Sequence, residues 1–138
     1  MEKKLTLTNE TSEIAKLAVF VEDLSEELNL PKDLALNLNL VLEEAVSNVI
    51  FYAYPDKRGQ EILLTANLED NALCFELKDY GKEFDPTKVP QADITLSAAE
   101  REIGGLGVFL VHQIMDTVEY RRIDGANILT MKKHIRNY

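Results

Sequence analysis

Apolar residues recur every three or four positions in two stretches near the N-terminus, the spacing of one buried helix face. The first stretch follows a short alternation of Leu5 and Leu7 with polar residues, which predicts a short strand. The second begins at Pro31, a residue suited to a first helical turn, and should run to about Tyr54, where Pro55 stops it. The predicted buried stripes are Ile14, Leu17, Ala18, Val21, Leu24 and Leu28 in the first helix, and Leu34, Leu38, Val41, Leu42, Ala45 and Val49 in the second.

From Gln60 onward the period of the apolar positions changes to two, as in strands with one buried face. This alternation predicts a hairpin that turns at residues 69–71 and ends at Asp79. A third helix is expected directly after Gly107, followed by strands at about 117–123 and 128–135. The order βααββαββ predicts a single domain over residues 1–138. Its fold class is an α+β two-layer sandwich, in which a mixed, mainly antiparallel sheet is covered by helices on one face.

The segment between residues 80 and 105 shows no sustained period and contains Pro86 and Pro90. It is expected to form a long loop with one short helix at about residues 97–102. Loops of this length inside a compact domain are usually functional.

The composition is that of a soluble, acidic chain. Its 138 residues are 46% hydrophobic, which is enough for one core. An excess of 24 acidic over 15 basic residues gives a net charge of −9, so direct nucleic-acid and membrane partners are not expected. Cys74 is the only cysteine, and neither a signal-peptide core nor an apolar run of about 20 residues is evident, so a cytoplasmic location is expected.

Two pairs of residues are candidates for chemistry. Glu44 and Asn48 are four positions apart on the predicted second helix, so both side chains lie on one face and could share a ligand. An ordinary solvated helix face is the alternative. Asp79 ends an apolar strand, and Gly81 permits close approach of the backbone, although a plain strand-ending turn has the same pattern.

A glycine-rich run precedes the predicted third helix, with glycine at positions 104, 105 and 107. Free amide N–H groups and the positive end of a helix dipole suit phosphate. The run matches neither the Walker phosphate loop nor the dinucleotide fingerprint. His112 and His134 have no partners at metal-ligand spacing, so both are interpreted as structural.

Taken in order, these motifs resemble the three boxes of the GHKL ATPase superfamily. The boxes correspond to Glu44 with Asn48, to Asp79 with Gly81, and to residues 104–107. Within that superfamily the chain looks like the bacterial anti-sigma serine kinases of sporulation and stress response, over residues 5–135. The segments that carry this closer resemblance are residues 43–48, 84–86, 108–111 and 115–116.

The resemblance implies a role for each motif. Asn48 would bind the Mg²⁺ that bridges the ATP phosphates, and Glu44 would be the general base for a serine hydroxyl. Asp79 would accept a hydrogen bond from the adenine amino group, while Gly81 would let the base pack against the backbone. Residues 85–102 would act as an ATP lid. The residues that would bind the phosphates are Gly104, Gly105, Leu106 and Gly107.

The resemblance also implies partner switching. The kinase would transfer the γ-phosphoryl group of ATP to a serine of a STAS-type anti-anti-sigma factor. It would also sequester a sigma factor until the unphosphorylated antagonist displaces it. A homodimer is implied by analogy with relatives alone.

Several positions depart from the family pattern. Tyr52 stands where histidine is common, Glu83 where a second glycine is common, and a threonine is replaced around Ala126 and Asn127. Ile103 and Leu106 occupy the region where a basic residue is often found. These departures leave open a second hypothesis, an ATP-binding sequestering module without transfer, and a third, an α/β domain that binds no nucleotide.

Overall fold

Three α-helices and five strands make up the described part of the chain. The computed structural model describes residues 1–56, 58–88 and 105–135. Short 3-10 turns at Thr11–Ala15 and Pro86–Lys88 and a π turn at Val49–Ala53 complete the elements. The helices are α1 (Lys16–Leu28), α2 (Lys32–Asn48) and α3 (Gly105–Ile114), and the strands are β1 (Glu2–Thr8), β2 (Glu61–Glu69), β3 (Ala72–Asp79), β4 (Thr117–Ile123) and β5 (Ala126–His134).

The strands form one sheet in the order β1-β2-β3-β5-β4. All four neighbouring pairs are antiparallel. The predicted two-layer α+β fold is confirmed, and the mainly antiparallel sheet is antiparallel at every pairing that the described residues make. The two hairpins, β2–β3 and β4–β5, turn through two residues each with positive φ, which is the geometry of a tight hairpin. These turn residues are Asp70, Asn71, Asp124 and Gly125.

The core lies between the inward face of the sheet and the two N-terminal helices. The strand register aligns Phe75 with Ala66 on one side and Met131 on the other, and all three are fully buried. All six apolar positions predicted for α2 are buried. In α1, Ala18 is exposed and Phe20 is buried instead, because an aromatic ring removes far more apolar area from water than a methyl group does.

The second helix reaches the predicted end but changes its geometry on the way. It is α-helical to Asn48 and continues as the π turn Val49–Ala53, in which the Tyr54 N–H donates to the Val49 carbonyl at 3.0 Å. The stretch Lys32–Ala53 is long and apolar enough by composition to cross a membrane, with a mean hydropathy of 1.3 over its most apolar 18 residues. Half of that window is buried inside the fold.

The third helix begins earlier than predicted. It starts at Gly105 rather than after Gly107, so both glycines belong to its first turn, whose N–H groups have no partner within the helix. Gly104 and the short helix predicted at residues 97–102 lie outside the described residues.

Candidate functional site

The end of the second helix and the end of β3 touch at Gly81. A Cβ atom at this position would come within 2.8 Å of the Ala53 Cβ atom and closer still to the Ala53 carbonyl oxygen. The Lys82 N–H donates to that same carbonyl at 2.9 Å. Contact with the π turn therefore already requires glycine here, while the role of Gly81 toward a ligand stays a prediction.

Asp79 is a buried carboxylate at the last position of β3, with only 2% of its surface exposed. Its Oδ1 atom accepts hydrogen bonds from the Gly81 N–H and from Asn127 Nδ2, both at 2.9 Å. Burial raises the pKa of this carboxyl, while these two bonds and the charge of Arg122 oppose the rise. Within the described residues both donors reach Oδ1, which leaves Oδ2 to accept from a ligand.

Asn127 connects Asp79 to the outer hairpin, and its side chain is almost fully buried. Besides Asp79, its Nδ2 atom donates to the Lys82 carbonyl at 2.8 Å. Its Oδ1 atom accepts from the Phe84 N–H at 3.3 Å, the Tyr120 hydroxyl at 2.5 Å and Arg122 Nη1 at 3.1 Å.

Sequence reasoning noted Asn127 only as a departure from the family pattern. One signal could have drawn attention to it. The inward positions of β5 are Asn127, Leu129 and Met131, so a polar residue interrupts an otherwise apolar alternation. A buried polar side chain needs hydrogen-bond partners, and those partners belong to other elements.

Glu44 is half-buried on α2, and its Oε1 atom is buried with no hydrogen-bond partner among the described residues. Burial raises the pKa of this carboxyl. The adjacent Glu43 differs, because its Oε1 atom accepts a hydrogen bond from Asn39 Nδ2 at 2.9 Å. An unpartnered buried carboxylate oxygen is costly, so Glu44 calls for a functional explanation.

Asn48 lies one turn after Glu44 and is 4% exposed. It lines a narrow cavity between α2, α3 and the turn Pro86–Lys88, with Thr87 and His112 among its neighbours. The cavity measures about 20 Å³, room for about one water molecule. A cavity of this size is too small for a nucleotide.

A larger cleft of about 380 Å³ lies beside the π turn. Its walls include Tyr54, Tyr80, Gly81 and Lys82, but Glu44, Asn48 and Asp79 are not among the residues that line it. The candidate site is therefore the region of Asn48 and Asp79, whose side chains could bind a nucleotide, and not this larger cleft.

The start of the predicted lid is fixed to the π turn. The Phe84 ring stacks on Tyr52, with ring centroids 4.9 Å apart and planes inclined by 16°. The Asp85 side chain then accepts from the Thr87 N–H at 2.9 Å and from its hydroxyl at 2.5 Å. The rest of the predicted lid, from residue 89 on, lies outside the described residues.

The predicted site residues that the structure describes lie on α2, on α3 and at the end of β3. Glu44 and Asn48 lie on α2, against which α3 packs. Gly105 and Gly107 are in the first turn of α3, and Asp79 is joined to the end of the α2 helical segment through Gly81. These residues offer a buried acceptor, an amide oxygen, a carboxylate and N–H groups that have no partner within their own helix.

The chain is similar to several known proteins. The family model described as the histidine kinase-like ATPase domain matches residues 7–133. Among curated proteins, the serine/threonine-protein kinase BtrW of Bordetella bronchiseptica is 29% identical over 101 residues, covering 73% of this chain and 71% of BtrW. The serine-protein kinase RsbW of Bacillus cereus is 29% identical over 104 residues, covering 72% of this chain. The match spans 64% of the length of that RsbW.

Two solved structures share the fold. The structure of the RsbU and RsbW domains of a Mycobacterium tuberculosis protein aligns with a TM-score of 0.69 at 12% identity, over 97% of this chain and 32% of that one. The histidine kinase domain of a blue-light-activated histidine kinase from Erythrobacter litoralis aligns with a TM-score of 0.57 at 13% identity, over 91% of this chain and 60% of that one.

Proposed function

Because the chain belongs to the family of histidine kinase-like ATPase domains, we propose that it binds ATP and transfers the γ-phosphoryl group to a protein serine. The observation that carries the proposal is the buried carboxylate of Asp79, held by two donors on one oxygen. Relatives named serine-protein kinases support the choice of acceptor.

Asp79 would recognise the base. Its Oδ2 atom, to which none of the described residues donates a hydrogen bond, suits the 6-amino group of adenine, which donates one. Guanine has a carbonyl oxygen at the same position, which would meet the carboxylate with like partial charge. A buried site built to hydrogen-bond one group strongly rejects an analogue that leaves that group unpaired.

Asn48 would hold the metal together with the nucleotide. Within the described residues, no three His, Cys, Asp or Glu side chains converge to form a metal site. A magnesium ion here would therefore take most of its ligands from phosphate oxygens and water, with the Asn48 amide oxygen as a hard protein ligand. When bound, Mg²⁺ would supply positive charge that offsets the negative charge developing on the phosphates. The free amides in the first turn of α3 suit the phosphates themselves.

Glu44 would act as the general base. Its buried, unpartnered Oε1 atom and its raised pKa suit a group that takes a proton at neutral pH. The serine oxygen forms a bond to the γ-phosphorus while the bond from that phosphorus to the β–γ bridging oxygen breaks. The hydroxyl proton passes to Glu44, and ADP leaves with the electron pair of the broken bond.

The partners follow from the resemblance to anti-sigma serine kinases. We infer that the phosphorylated serine belongs to a STAS-type anti-anti-sigma protein. We also infer that the kinase sequesters a sigma factor until the unphosphorylated antagonist displaces it. The segments at 43–48 and 84–86 support this assignment, as does the RsbW domain in a structural neighbour. A cytoplasmic location and a homodimer fit the same scheme.

The proposal is tested by titrating Mg·ATP into the protein by calorimetry and then measuring radiolabelled transfer to the STAS-type protein of the same genome. Wild type should bind saturably and phosphorylate serine, and Asn48→Ala should weaken binding. Glu44→Gln should bind ATP normally and lose transfer by about 100-fold or more, the usual contribution of a general base. Glu43→Gln changes the charge by the same amount one residue away and should keep both properties.

Two results would overturn parts of this assignment. Saturable binding without transfer by wild type would leave an ATP-binding sequestering module, the alternative that the apolar residues Ile103 and Leu106 favour. The absence of saturable binding at millimolar nucleotide would exclude both the kinase and the sequestering module.

A further inference from the structure

The amide of Asn127 has an orientation that its partners determine. Nδ2 faces the Asp79 carboxylate and the Lys82 carbonyl, which can only accept hydrogen bonds. Oδ1 faces only donors. Rotating the amide by half a turn would place oxygen against oxygen at Asp79. The Asn127 nitrogen is therefore directed at Asp79 by all the partners of the amide together, Asp79 included.

Two of those partners come from β4, an edge strand of the sheet. The Tyr120 hydroxyl and Arg122 Nη1 both donate to Asn127 Oδ1, at 2.5 and 3.1 Å. Donors on the oxygen of an amide polarise it and strengthen the hydrogen bonds that its nitrogen donates. The two side chains thus act on Asp79 through Asn127, and Arg122 also acts through its charge.

The same hairpin fixes the backbone where the chain leaves β3. Arg122 Nη1 donates to the Gly81 carbonyl at 2.8 Å, and Asn127 bonds both the Lys82 carbonyl and the Phe84 N–H. The position of Gly81 matters for Asp79 as well, because the Gly81 N–H is the second donor to its Oδ1 atom. Both donors that orient the carboxylate are therefore held by side chains of the β4–β5 hairpin.

We propose that this hairpin determines which nucleotide the site accepts, because its side chains fix which oxygen of Asp79 faces the base and keep that oxygen an acceptor. The inference rests on the proposed ATP-binding function. The positioning residues are Tyr120, Arg122 and Asn127; none of them is assigned contact with the nucleotide.

An isosteric change at Asn127 tests the electrostatic part of the proposal. Asn127→Asp replaces a donor to Asp79 with a second carboxylate in contact with it, and two carboxylates sharing one site retain a proton to higher pH. Among the described residues, the other charged or titratable groups that act on or are affected by Asp79 are Arg122 from β4 and Tyr54, which follows the π turn. A protonated pair can donate to the guanine carbonyl, so discrimination against guanine should weaken.

The experiment is calorimetric titration of the full chain with Mg·ATP and with Mg·GTP at pH 7.0 and 8.5. Wild type should prefer ATP at both values. Asn127→Asp should lower the ratio of ATP to GTP affinity about tenfold at pH 7.0, and part of the loss should be recovered at pH 8.5, where the pair is ionised. Far-UV circular dichroism and the urea midpoint establish that the variant is folded.

A second pair of variants keeps the proposal testable if Asn127→Asp does not fold. Arg122→Gln removes the donor to Gly81 and Asn127 and should lower the affinity ratio severalfold. Arg121→Gln is the matched control, because it removes the same charge. Arg121 directly precedes Arg122 in β4 and points to the opposite face of the sheet, in register with Ile128. It should keep the wild-type ratio.

The outcomes separate this inference from the function on which it rests. A wild type that binds no nucleotide overturns the proposed function and, with it, the inference. If wild type prefers ATP and the variants keep its ratio of ATP to GTP affinity at both pH values, the inference is overturned and the proposed function stands. An equal loss of ATP and GTP affinity in Arg122→Gln would show a purely structural role and would also overturn it.

Discussion

Glu44 carries a cost that its neighbour does not. Its buried oxygen has no hydrogen-bond partner within the described part of the chain, whereas Glu43 is bonded by Asn39. Natural proteins tolerate such costs mainly where a group is needed for function. The difference between the two adjacent glutamates should therefore appear in the free energy of unfolding when each is replaced by glutamine.

Replacing Glu44 with glutamine should stabilise the folded chain at neutral pH. Burial raises the pKa of Glu44 above the value of about 4.3 expected in the unfolded chain, so its ionised form is disfavoured in the fold. Glu44→Gln should raise the free energy of unfolding at pH 7.5 by about 1 kcal/mol or less, because the half-exposed group is screened by solvent. Below about pH 4, where the carboxyl is protonated in both states, the gain should vanish.

Urea unfolding at pH 7.5 and pH 4.0 measures this difference, with Glu43→Gln as the control. Glutamine can still accept the bond from Asn39, so the control should not be stabilised. Equal stabilisation by both variants would indicate relief of general negative charge, and the special position assigned to Glu44 would be wrong.

At the scale of elements, the π turn holds the second helix to the sheet. Tyr54 follows the turn and is buried, and its hydroxyl accepts from the Tyr80 N–H at 2.7 Å and donates to the Glu61 carbonyl at 3.2 Å. One side chain thus links the helix end to the start of β2 and to the end of β3. This link lies next to the contact between Gly81 and Ala53, so it supports the geometry around Asp79.

Removing the Tyr54 hydroxyl should destabilise the chain without changing its packing. Tyr54→Phe leaves the Tyr80 N–H and the Glu61 carbonyl without this partner, and one unsatisfied buried group typically costs about 1–3 kcal/mol. The measurement is the free energy of unfolding in urea. Tyr80→Phe is the control, because Tyr80 is exposed and its ring can keep Lys78 Nζ, 5.3 Å from its centroid. A loss of similar size in both variants would contradict the structural role of the Tyr54 hydroxyl.

At the scale of the molecule, the proposed ligand should couple several elements at once. Asn48, Asp79 and the first turn of α3 belong to three different elements of the fold. A ligand that touches all three binds only the folded chain, so it shifts the unfolding equilibrium by mass action.

Mg·ATP should therefore raise the free energy of unfolding by about 2.7 kcal/mol at a ligand concentration 100 times the dissociation constant. For a chain of this size that corresponds to a rise of several degrees in the unfolding midpoint. Comparing thermal unfolding with ATP plus Mg²⁺ and with ATP plus EDTA measures how much of the rise in the midpoint depends on magnesium. Asn48→Ala should lose most of this magnesium-dependent rise. An equal rise with EDTA would argue against a metal-linked role for Asn48.

The sequence alone determined the elements and the buried faces. The apolar stripe of α2 is visible in its spacing, because a helix that packs on a sheet must bury one face. The alternation from Gln60 to Asp79 gave the β2–β3 hairpin for the equivalent reason in strands. The order of the candidate motifs along the chain also pointed to the family that the comparisons confirm.

Only the tertiary structure decided how these elements meet. The insertion of β5 between β3 and β4 depends on pairings between distant segments, and local pattern does not encode them. The π turn and the contact of Ala53 with Gly81 arise from docking the helix end on the sheet. Asn127 was visible as a polar residue in a strand, but its role depends on partners up to 48 positions away. Hydrogen bonds between distant residues are set by three-dimensional packing, so the polar support of Asp79 follows from the fold.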